Sequence, residues 1–504
     1  MPPSYTGACW LFRKILGLIY LTAFVSLGLQ ITGLIGSQGI LPAADFLKAV
    51  REQHGTSAYW DVPTVFWWAS GDAALRIVCA AGAACSILLT LEIFPCGMLA
   101  LAFVLYLSLV SAGQVFMGYQ WDFLLLEAGF LAIFLKPTLV RVWLFQWLLF
   151  RLIFESGAVK LLSGDLTWHN LTAMAFHYQT QPLPTPLAWY MHQAPLWFQK
   201  DSTLFVFFAE LVIPFLIFGS RRLRHVAAAV LFTLQLLIFL TGNYASFNLL
   251  TMALCILLLD DSILRWKRPE AGNANRFVTA GLFSSTLLLS SSQLAAMFGH
   301  PFPFPERIAA LAAPFGVVNP YGLFANMTTT RLEIEIEGSN DGNRWSAYSF
   351  PFKPGDMKRT PPWVAPHQPR LDWQMWFAAL GNHQQNPWFE NLVGALLKGS
   401  PPVLALMERN PFPNAPPRYI RAQIYEYRFT DFSTRRATGA WWKRELKGTY
   451  FPAVSLNVAH ALLRAVSKVQ TGRIVYISCR AHGRHFWAWP GRTHARWKKE
   501  FNYS

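Results

Sequence analysis

Leu139-Val-Arg-Val-Trp-Leu-Phe-Gln-Trp-Leu-Leu-Phe-Arg-Leu-Ile-Phe-Glu-Ser-Gly-Ala-Val-Lys-Leu-Leu162 is apolar for long enough to cross the roughly 30 Å hydrocarbon core of a bilayer. It nevertheless carries Arg151, Glu155 and Lys160, the last two toward its C-terminal end. Charges placed so are costly against lipid, so they are expected to face a bundle interior or an aqueous cavity, or to snorkel near an end. Comparable apolar stretches lie at about 10–36, 73–94, 97–117, 122–136, 203–219, 226–241, 244–259 and 277–298. The expected fold is a polytopic α-helical membrane bundle of about nine spans; the fourth, seventh and eighth are shorter than the ~20 residues a perpendicular crossing needs. The first stretch is read as a retained helix, because Gln38-Gly-Ile-Leu-Pro42 turns into an amphipathic segment around Phe46–Val50 rather than a cleavage site.

The whole-chain numbers agree with that reading. Of 504 residues, 53% are hydrophobic, 15% aromatic and only 14% charged, against roughly 25% charged in soluble domains. This excludes a disordered chain, a collagen-like fibre and a disulfide-stapled miniprotein, and argues against a soluble enzyme. The net charge is 43 − 27 = +16. Short-loop Lys and Arg set orientation: with Arg13 and Lys14 cytoplasmic and nine crossings, Lys136, Arg141, the Arg221, Arg222, Arg224 cluster and the Arg265, Lys267, Arg268, Arg276 group all fall on that same side. The N-terminus is then inside and the C-terminus outside. The loop at about 163–202 and everything after about 299 lie on the outer face.

The chain is expected to divide into a membrane domain (1–298), a stiff Pro-rich linker (299–329), an outward-facing α+β domain (330–479) and a basic, Trp-rich tail (480–504). Arg331-Leu-Glu-Ile-Glu-Ile-Glu337 alternates as a half-buried strand does, and Asn340-Asp-Gly-Asn343 turns it toward a second strand at Trp345–Phe350. Tyr419–Phe429 and Arg473–Ser478 are further strand candidates, so antiparallel pairing is expected. Helices are expected from Asn386-Pro387 through Leu397 and from Ser400-Pro401-Pro402 through about Glu408.

Five cysteines, Cys9, Cys79, Cys85, Cys96 and Cys255, lie in or beside apolar segments and read as buried small hydrophobes; Cys79 and Cys85 point to different helix faces. Cys479 stands alone in the outer domain. Its C-x-x-H-x-x-H run with His482 and His485 lacks a fourth ligand, and the spacing of His169 and His177 matches no zinc pattern. No metal and no cofactor are expected. From Arg435 to Ser504, 14 Lys+Arg stand against 2 Asp+Glu, or 14 − 2 = +12. With that end outside, anionic lipid headgroups are the expected partner of the tail and nucleic acid is not.

The ionisable residues inside apolar segments are Arg76, Glu92, Glu127, Arg151, Glu155, Lys160 and Glu210. A buried lysine can act as a base, which makes Lys160, assisted by Glu155, Asp165, His169 or His177, the candidate catalytic group. The bland alternative pairs Arg151 with Glu155 one turn away and lets Lys160 snorkel outward. A transporter is disfavoured by the lack of an inverted repeat or a broken-helix signature.

Gly164-Asp-Leu-Thr-Trp-His-Asn-Leu-Thr-Ala173, His177-Tyr-Gln-Thr-Gln-Pro-Leu-Pro184, Trp189-Tyr-Met-His192 and Ala365-Pro-His-Gln-Pro-Arg-Leu-Asp-Trp-Gln-Met-Trp-Phe-Ala-Ala-Leu380 resemble signatures of the lipase maturation factor family. So do Tyr425 to Phe429, Trp441-Trp442 and Tyr450–Leu456; the resemblance runs from about the first span to Leu456 and leaves out the tail. It implies a multi-pass chaperone-like protein that assists folding or assembly of secreted lipases in the endoplasmic reticulum, with a lumenal C-terminal domain that binds the client. The matching positions give His367, Arg370, Trp373, Trp376, Trp441 and Trp442 as candidate client-binding residues, with exposed aromatics such as Trp373 and Trp376 as contacts. The membrane part is also similar to the transmembrane domain of vitamin K-dependent gamma-carboxylase, where a Lys-Leu pair carries the base; Lys160-Leu161, Asp165 and Trp168 correspond. The compact chain resembles a bacterial member, which would sit in the inner membrane with a periplasmic C-terminal domain. Its sequons at Asn170, Asn326 and Asn502 would be used only in a eukaryotic lumen. A non-enzymatic role is favoured over a membrane-embedded enzyme acting on a lipid or peptide.

Overall fold

The structure, a computed structural model, describes residues 4–264 and 275–456. Among these, six helical segments are long and apolar enough to cross a membrane. They are α1 (Thr6–Gly28), α3 (Asp72–Thr90), α4 (Pro95–Ala112), α6 (Leu139–Leu162), the segment Leu196–Phe218 that begins as α9 (Leu196–Phe207), and α10 (Arg221–Thr241). Between and after them lie the amphipathic α2 (Ala43–His54), α5 (Gln120–Ile133), α7 (Ala173–Thr180), α8 (Pro186–His192), α11 (Phe247–Ile256), α12 (Arg276–Met297) and α13 (Pro303–Ala312).

Several boundaries differ from expectation for identifiable reasons. The first stretch is not one helix to residue 36: α1 ends at Gly28 and a short separate helix, Ile31–Ile35, follows. The segment starting near 203 begins at Leu196, and α10 begins at Arg221 because its arginines occupy the first turns with their heads at the helix end. The Pro-rich stretch after α12 includes the helix α13. Pro303 sits at the N-terminus of α13, where its missing N–H costs nothing, and Asn319 and Tyr321 are buried among the bundle helices.

Antiparallel packing is visible at the helix ends. Lys14 of α1 donates to the Thr90 carbonyl at the end of α3, Gln146 of α6 to the Leu257 carbonyl just past α11, and Arg224 of α10 to the Leu258 carbonyl. At that end Asp261 accepts from Ser4, Thr6 and Gly7. At the other end Ser26, Gln30, Phe116, Gln179 and Asn243 all bond to the outer domain.

The outer domain has a four-stranded antiparallel sheet in the order β2-β1-β3-β4, with β1 Arg331–Ser339, β2 Ser346–Ala347, β3 Tyr419–Phe429 and β4 Trp442–Ser455. The β1–β2 hairpin and β3 fall where the alternation placed them; the candidate strand at 473–478 lies outside the described residues. β1 is not half-exposed. Its acidic face is covered because Glu333 pairs with Arg331 and Lys353, Glu335 with Arg444, and Glu337 with Arg421. The helices are α14 (Arg370–Ala378), α15 (Pro387–Leu397) and α16 (Phe432–Thr438). α15 has its expected bounds, whereas the helix at Pro401 stops at Leu404.

Candidate functional site

Lys160 lies in the last turn of α6, one turn after Ser156. It does not snorkel. Its side chain is buried, Nζ lies 2.6 Å from Glu210 Oε2 and 3.0 Å from the Ser156 carbonyl oxygen, and it sits 5.3 Å from the Trp168 ring centre. Glu210 is delivered by a π-helical turn, Phe208–Val212, after which Ile213–Phe218 is a 3-10 helix containing Pro214. A π turn inserts one residue into the helix and re-aims the side chains around it. The expectation of unbroken helices therefore fails at this segment. Gly157 makes the approach possible, since a Cβ there would lie 2.8 Å from Glu210 Cβ and 2.9 Å from Leu211 Cδ2.

Of the other candidates, His177 is the one whose titration the Lys160 charge influences. It is buried on α7 with its ring 4.9 Å from Phe324, whose carbonyl accepts from Trp168 Nε1 at 2.9 Å. Its Nε2 faces the Tyr244 hydroxyl at 3.3 Å, and burial, reinforced by the Lys160 charge, pushes the imidazole down to about 4. Asp165 is committed as a cap: it accepts from the Thr167 and Met327 backbone N–H groups, each at 2.7 Å. His169 is exposed. Glu155 does not pair with Arg151 as expected but accepts from the Tyr321 N–H at 2.7 Å. The guanidinium of Arg151 instead meets Glu127, which also accepts from Asn319 and, at 2.9 Å, from the Tyr321 hydroxyl.

The directions in which Lys160 can donate are thus taken by a carboxylate, a carbonyl and an aromatic face. A half-open concavity of about 160 Å³ is lined by Tyr348, Leu396, Phe412 and Pro416, and a smaller one by Pro184, Phe352, Arg359 and Trp442; neither includes Lys160. Among the described residues no group of three or more His, Cys, Asp or Glu side chains is arranged to hold a metal.

The densest polar chemistry lies instead along the seam between bundle and outer domain. Arg370, first residue of α14, grips Asp122 of α5 with Nη1 to Oδ2 at 2.9 Å and Nη2 to Oδ1 at 2.8 Å. The same guanidinium reaches the Phe116 carbonyl at 2.6 Å and Gln368 Oε1 at 2.9 Å, and Tyr106 donates to Asp122 at 2.5 Å. Arg331 donates to the carbonyls of Gln179, Gln181 and Pro182. Asn243 donates to the Leu183 and Pro362 carbonyls and accepts from the Val364 and Ala365 N–H groups, so every hydrogen-bonding position of its amide is used.

The six positions proposed as client contacts belong to this seam or to the sheet's core, which corrects the expectation of exposed aromatics. Trp373 is 3% and Trp376 6% exposed. Trp373 packs edge-on to Trp121 at 4.6 Å, and Trp376 Nε1 donates to the Thr180 carbonyl. Trp442 stacks on Phe429 at 4.2 Å, Trp441 lies under Arg435, and half-buried His367 faces Ser26 Oγ at 2.9 Å. Seating a domain on a bundle demands rings with a polar tip, apolar bulk for the gap and an N–H for an orphan carbonyl. The sequence reading does not single out Asp122, Asn243 and Arg331 as site residues; it marks Glu210, as an acid inside an apolar stretch, but without its partner Lys160.

Residues 8–266 match the family model described as lipase maturation factor transmembrane domain, and residues 317–452 match the lipase maturation factor C-terminal domain. Lipase maturation factor 2 of Gallus gallus is 36% identical over 89% of this chain and 81% of its own length. The human lipase maturation factor 2 is 34% identical over 89% and 82%. Lipase maturation factor 1 of Bos taurus is 34% identical over 89% and 90%. No solved structure matches. With both halves matched and the two joined through one continuous buried seam, the chain is a multi-pass membrane protein belonging to the lipase maturation factor family.

Proposed function

We propose that this protein is a membrane-anchored maturation factor that assists folding or assembly of secreted lipases or other exported proteins. The observation that carries this reading is that the match to proteins named for lipase maturation spans the membrane and the outer domain alike. We further infer nine crossings, adding α5, α11 and α12 to the six long apolar segments. Support comes from the antiparallel alternation of helix ends, which sets Ser4 and Asp261 at one end and the outer domain at the other. The N-terminus would then be cytoplasmic and the outer domain lumenal in an endoplasmic reticulum or periplasmic in a bacterial inner membrane. Client contact falls to exposed side chains of the outer domain, such as Trp363 and Leu446, 53% and 55% exposed, rather than to the five buried positions Arg370, Trp373, Trp376, Trp441 and Trp442.

The rival, an enzyme with Lys160 as base, is separated by one double variant. Lys160→Met with Glu210→Leu removes both charges and leaves no buried ion unpaired. Co-expressed with a secreted lipase, the wild type raises secreted lipase activity, the double variant keeps that effect, and Trp363→Asp with Leu446→Asp diminishes it. Loss of the effect in the Lys160/Glu210 variant at an unchanged melting temperature would overturn the maturation reading in favour of the enzyme.

A further inference from the structure

Helix α16 of the outer domain and helix α8 of the loop region meet at the rim where the outer domain overhangs the bundle. Arg435 lies there with its guanidinium carbon 3.6 Å from the Trp441 ring centre, 4.8 Å from Trp189 and 5.6 Å from Tyr190. Nη1 donates to the Tyr190 hydroxyl at 3.1 Å. No carboxylate pairs with it, or with the exposed Arg436 beside it, among the described residues. The neighbouring arginines Arg421, Arg428 and Arg444 each hold a glutamate. The nearest acid in sequence, Asp431, is committed to capping α16, accepting from the Thr434 N–H at 2.7 Å and the Ser433 hydroxyl at 2.6 Å. Arg435 is therefore a guanidinium held flat on an aromatic platform with its remaining N–H edge unspent. A stacked guanidinium keeps its planar fork of donors, which suits two-point recognition of a phosphate or carboxylate.

Its height above the bundle identifies the anion. Thr185, just before α8, donates to the Leu240 carbonyl at the end of α10, and Gln199 of α9 donates to the Met191 carbonyl of α8. α8 thus rests on the ends of two apolar crossing segments. At the same level Leu187, Tyr190, Leu196, Trp197 and Phe432 are exposed, Trp197 by 65%. Aromatic side chains at the end of an apolar span, with basic heads above them, are the signature of the headgroup region.

We propose that Arg435, seated on Trp189, Tyr190 and Trp441 and flanked by Arg436, binds the phosphodiester of a phospholipid in the leaflet that faces the outer domain. Phe432 and Trp197 lie against the glycerol and upper acyl region. The contact pins the rim of the outer domain to the headgroup plane, independently of any client.

Two measurements on the full chain test this. Native mass spectrometry of the detergent-purified protein counts retained phospholipid; Arg435→Gln with Arg436→Gln is expected to lower that count several-fold, and Arg435→Lys to give an intermediate value. A benzoylphenylalanine photo-crosslinker at position 432, with both arginines intact, is expected to capture lipid in nanodiscs of phosphatidylglycerol or phosphatidylcholine, and less when the arginines are replaced. Because this probe leaves the cage in place, it also decides the matter if the Arg435 variants fail to fold. Unchanged retention in a double variant that melts like the wild type would overturn the proposal. So would crosslinks to protein alone, or complete displacement of the retained lipid by inorganic phosphate, which marks a site for a free anion.

Discussion

Arg370→Met tests whether the seam holds the outer domain in place. The substitution keeps the aliphatic stem and removes four hydrogen bonds: two to Asp122 at 2.9 and 2.8 Å, one to the Phe116 carbonyl at 2.6 Å and one to Gln368 at 2.9 Å. Asp122 is left wholly buried with Tyr106 as its remaining side-chain donor. Each hydrogen bond to a charged group contributes about 1.5–3 kcal/mol, and stranding one member of a buried pair costs about 3–5 kcal/mol. The two bonds to Asp122 alone would give about 3–6 kcal/mol on the first figure, which overlaps the second, so the expected loss is at least about 3–5 kcal/mol. Asp122→Leu should cost a similar amount by stranding Arg370. The double variant should cost less than the sum, because replacing a buried pair by apolar groups of similar size is often close to neutral.

The assay is a double-mutant cycle on the full chain in detergent, following denaturant unfolding by tryptophan fluorescence. Trp121 and Trp373, packed against each other close to this seam, contribute to that signal. A coupling energy of at least about 2 kcal/mol is expected for groups in one buried network. Additivity within about 0.5 kcal/mol, the value typical of independent sites, would refute the reasoning: the pair would then be incidental to how the domain is seated.

Two further outcomes follow from single residues. Asp372 of α14 is buried and accepts from the Phe352 and Lys353 N–H groups at 2.9 and 2.7 Å; burial outweighs these bonds and raises its carboxyl to about 6. An acid whose pKa is raised on folding adds stability that is full below its unfolded value near 3.8 and disappears as pH rises through 6. At about 1.4 kcal/mol per unit this is up to about 3 kcal/mol. Asp372→Asn keeps an acceptor for both N–H groups, so the stability difference between wild type and variant should swing by that order between pH 4 and 7, and a pH-independent difference would count against it. Asn170, exposed on the outer-domain side, heads an Asn-Leu-Thr sequon; translation into endoplasmic reticulum microsomes should give an endoglycosidase-sensitive product that Asn170→Gln abolishes, and an unglycosylated product would reverse the proposed orientation.

The features legible from sequence were those that local physics dictates. Uninterrupted apolar length marked the six long apolar segments, and period-two alternation marked β1 and β3 almost to the residue. The Pro387 start marked α15. Contacts across the fold were not legible. Arg151 and Glu155 sit one helical turn apart and look like a pair, but residues 319–321 return from more than 160 positions away and offer better partners. Tyr321 supplies an N–H to Glu155, which leaves Arg151 to Glu127, and its hydroxyl donates to that same Glu127. Lys160 likewise finds Glu210 only because a π turn rotates that acid inward. The tryptophans of α14 misled for a related reason: rings common at recognition surfaces are equally the rings that seal one part of a chain onto another.

The seam also decides how this protein can be dissected. By apolar length alone, ending the chain after residue 299 would isolate a membrane anchor. Yet that truncation removes Asn319 and Tyr321 from Glu127, the Tyr321 N–H from Glu155, the Met327 N–H from Asp165 and Arg370 from Asp122. Three of these carboxylates are fully buried, and a buried charge without partners costs several kcal/mol. The two matched domains are therefore expected to unfold as one cooperative unit, because the outer chain supplies partners to carboxylates of the bundle. Loss of lipase maturation in a truncated protein would follow from a collapsed bundle as readily as from a missing client site. Surface substitutions such as Trp363→Asp, which touch no buried charge, are what tell the two apart.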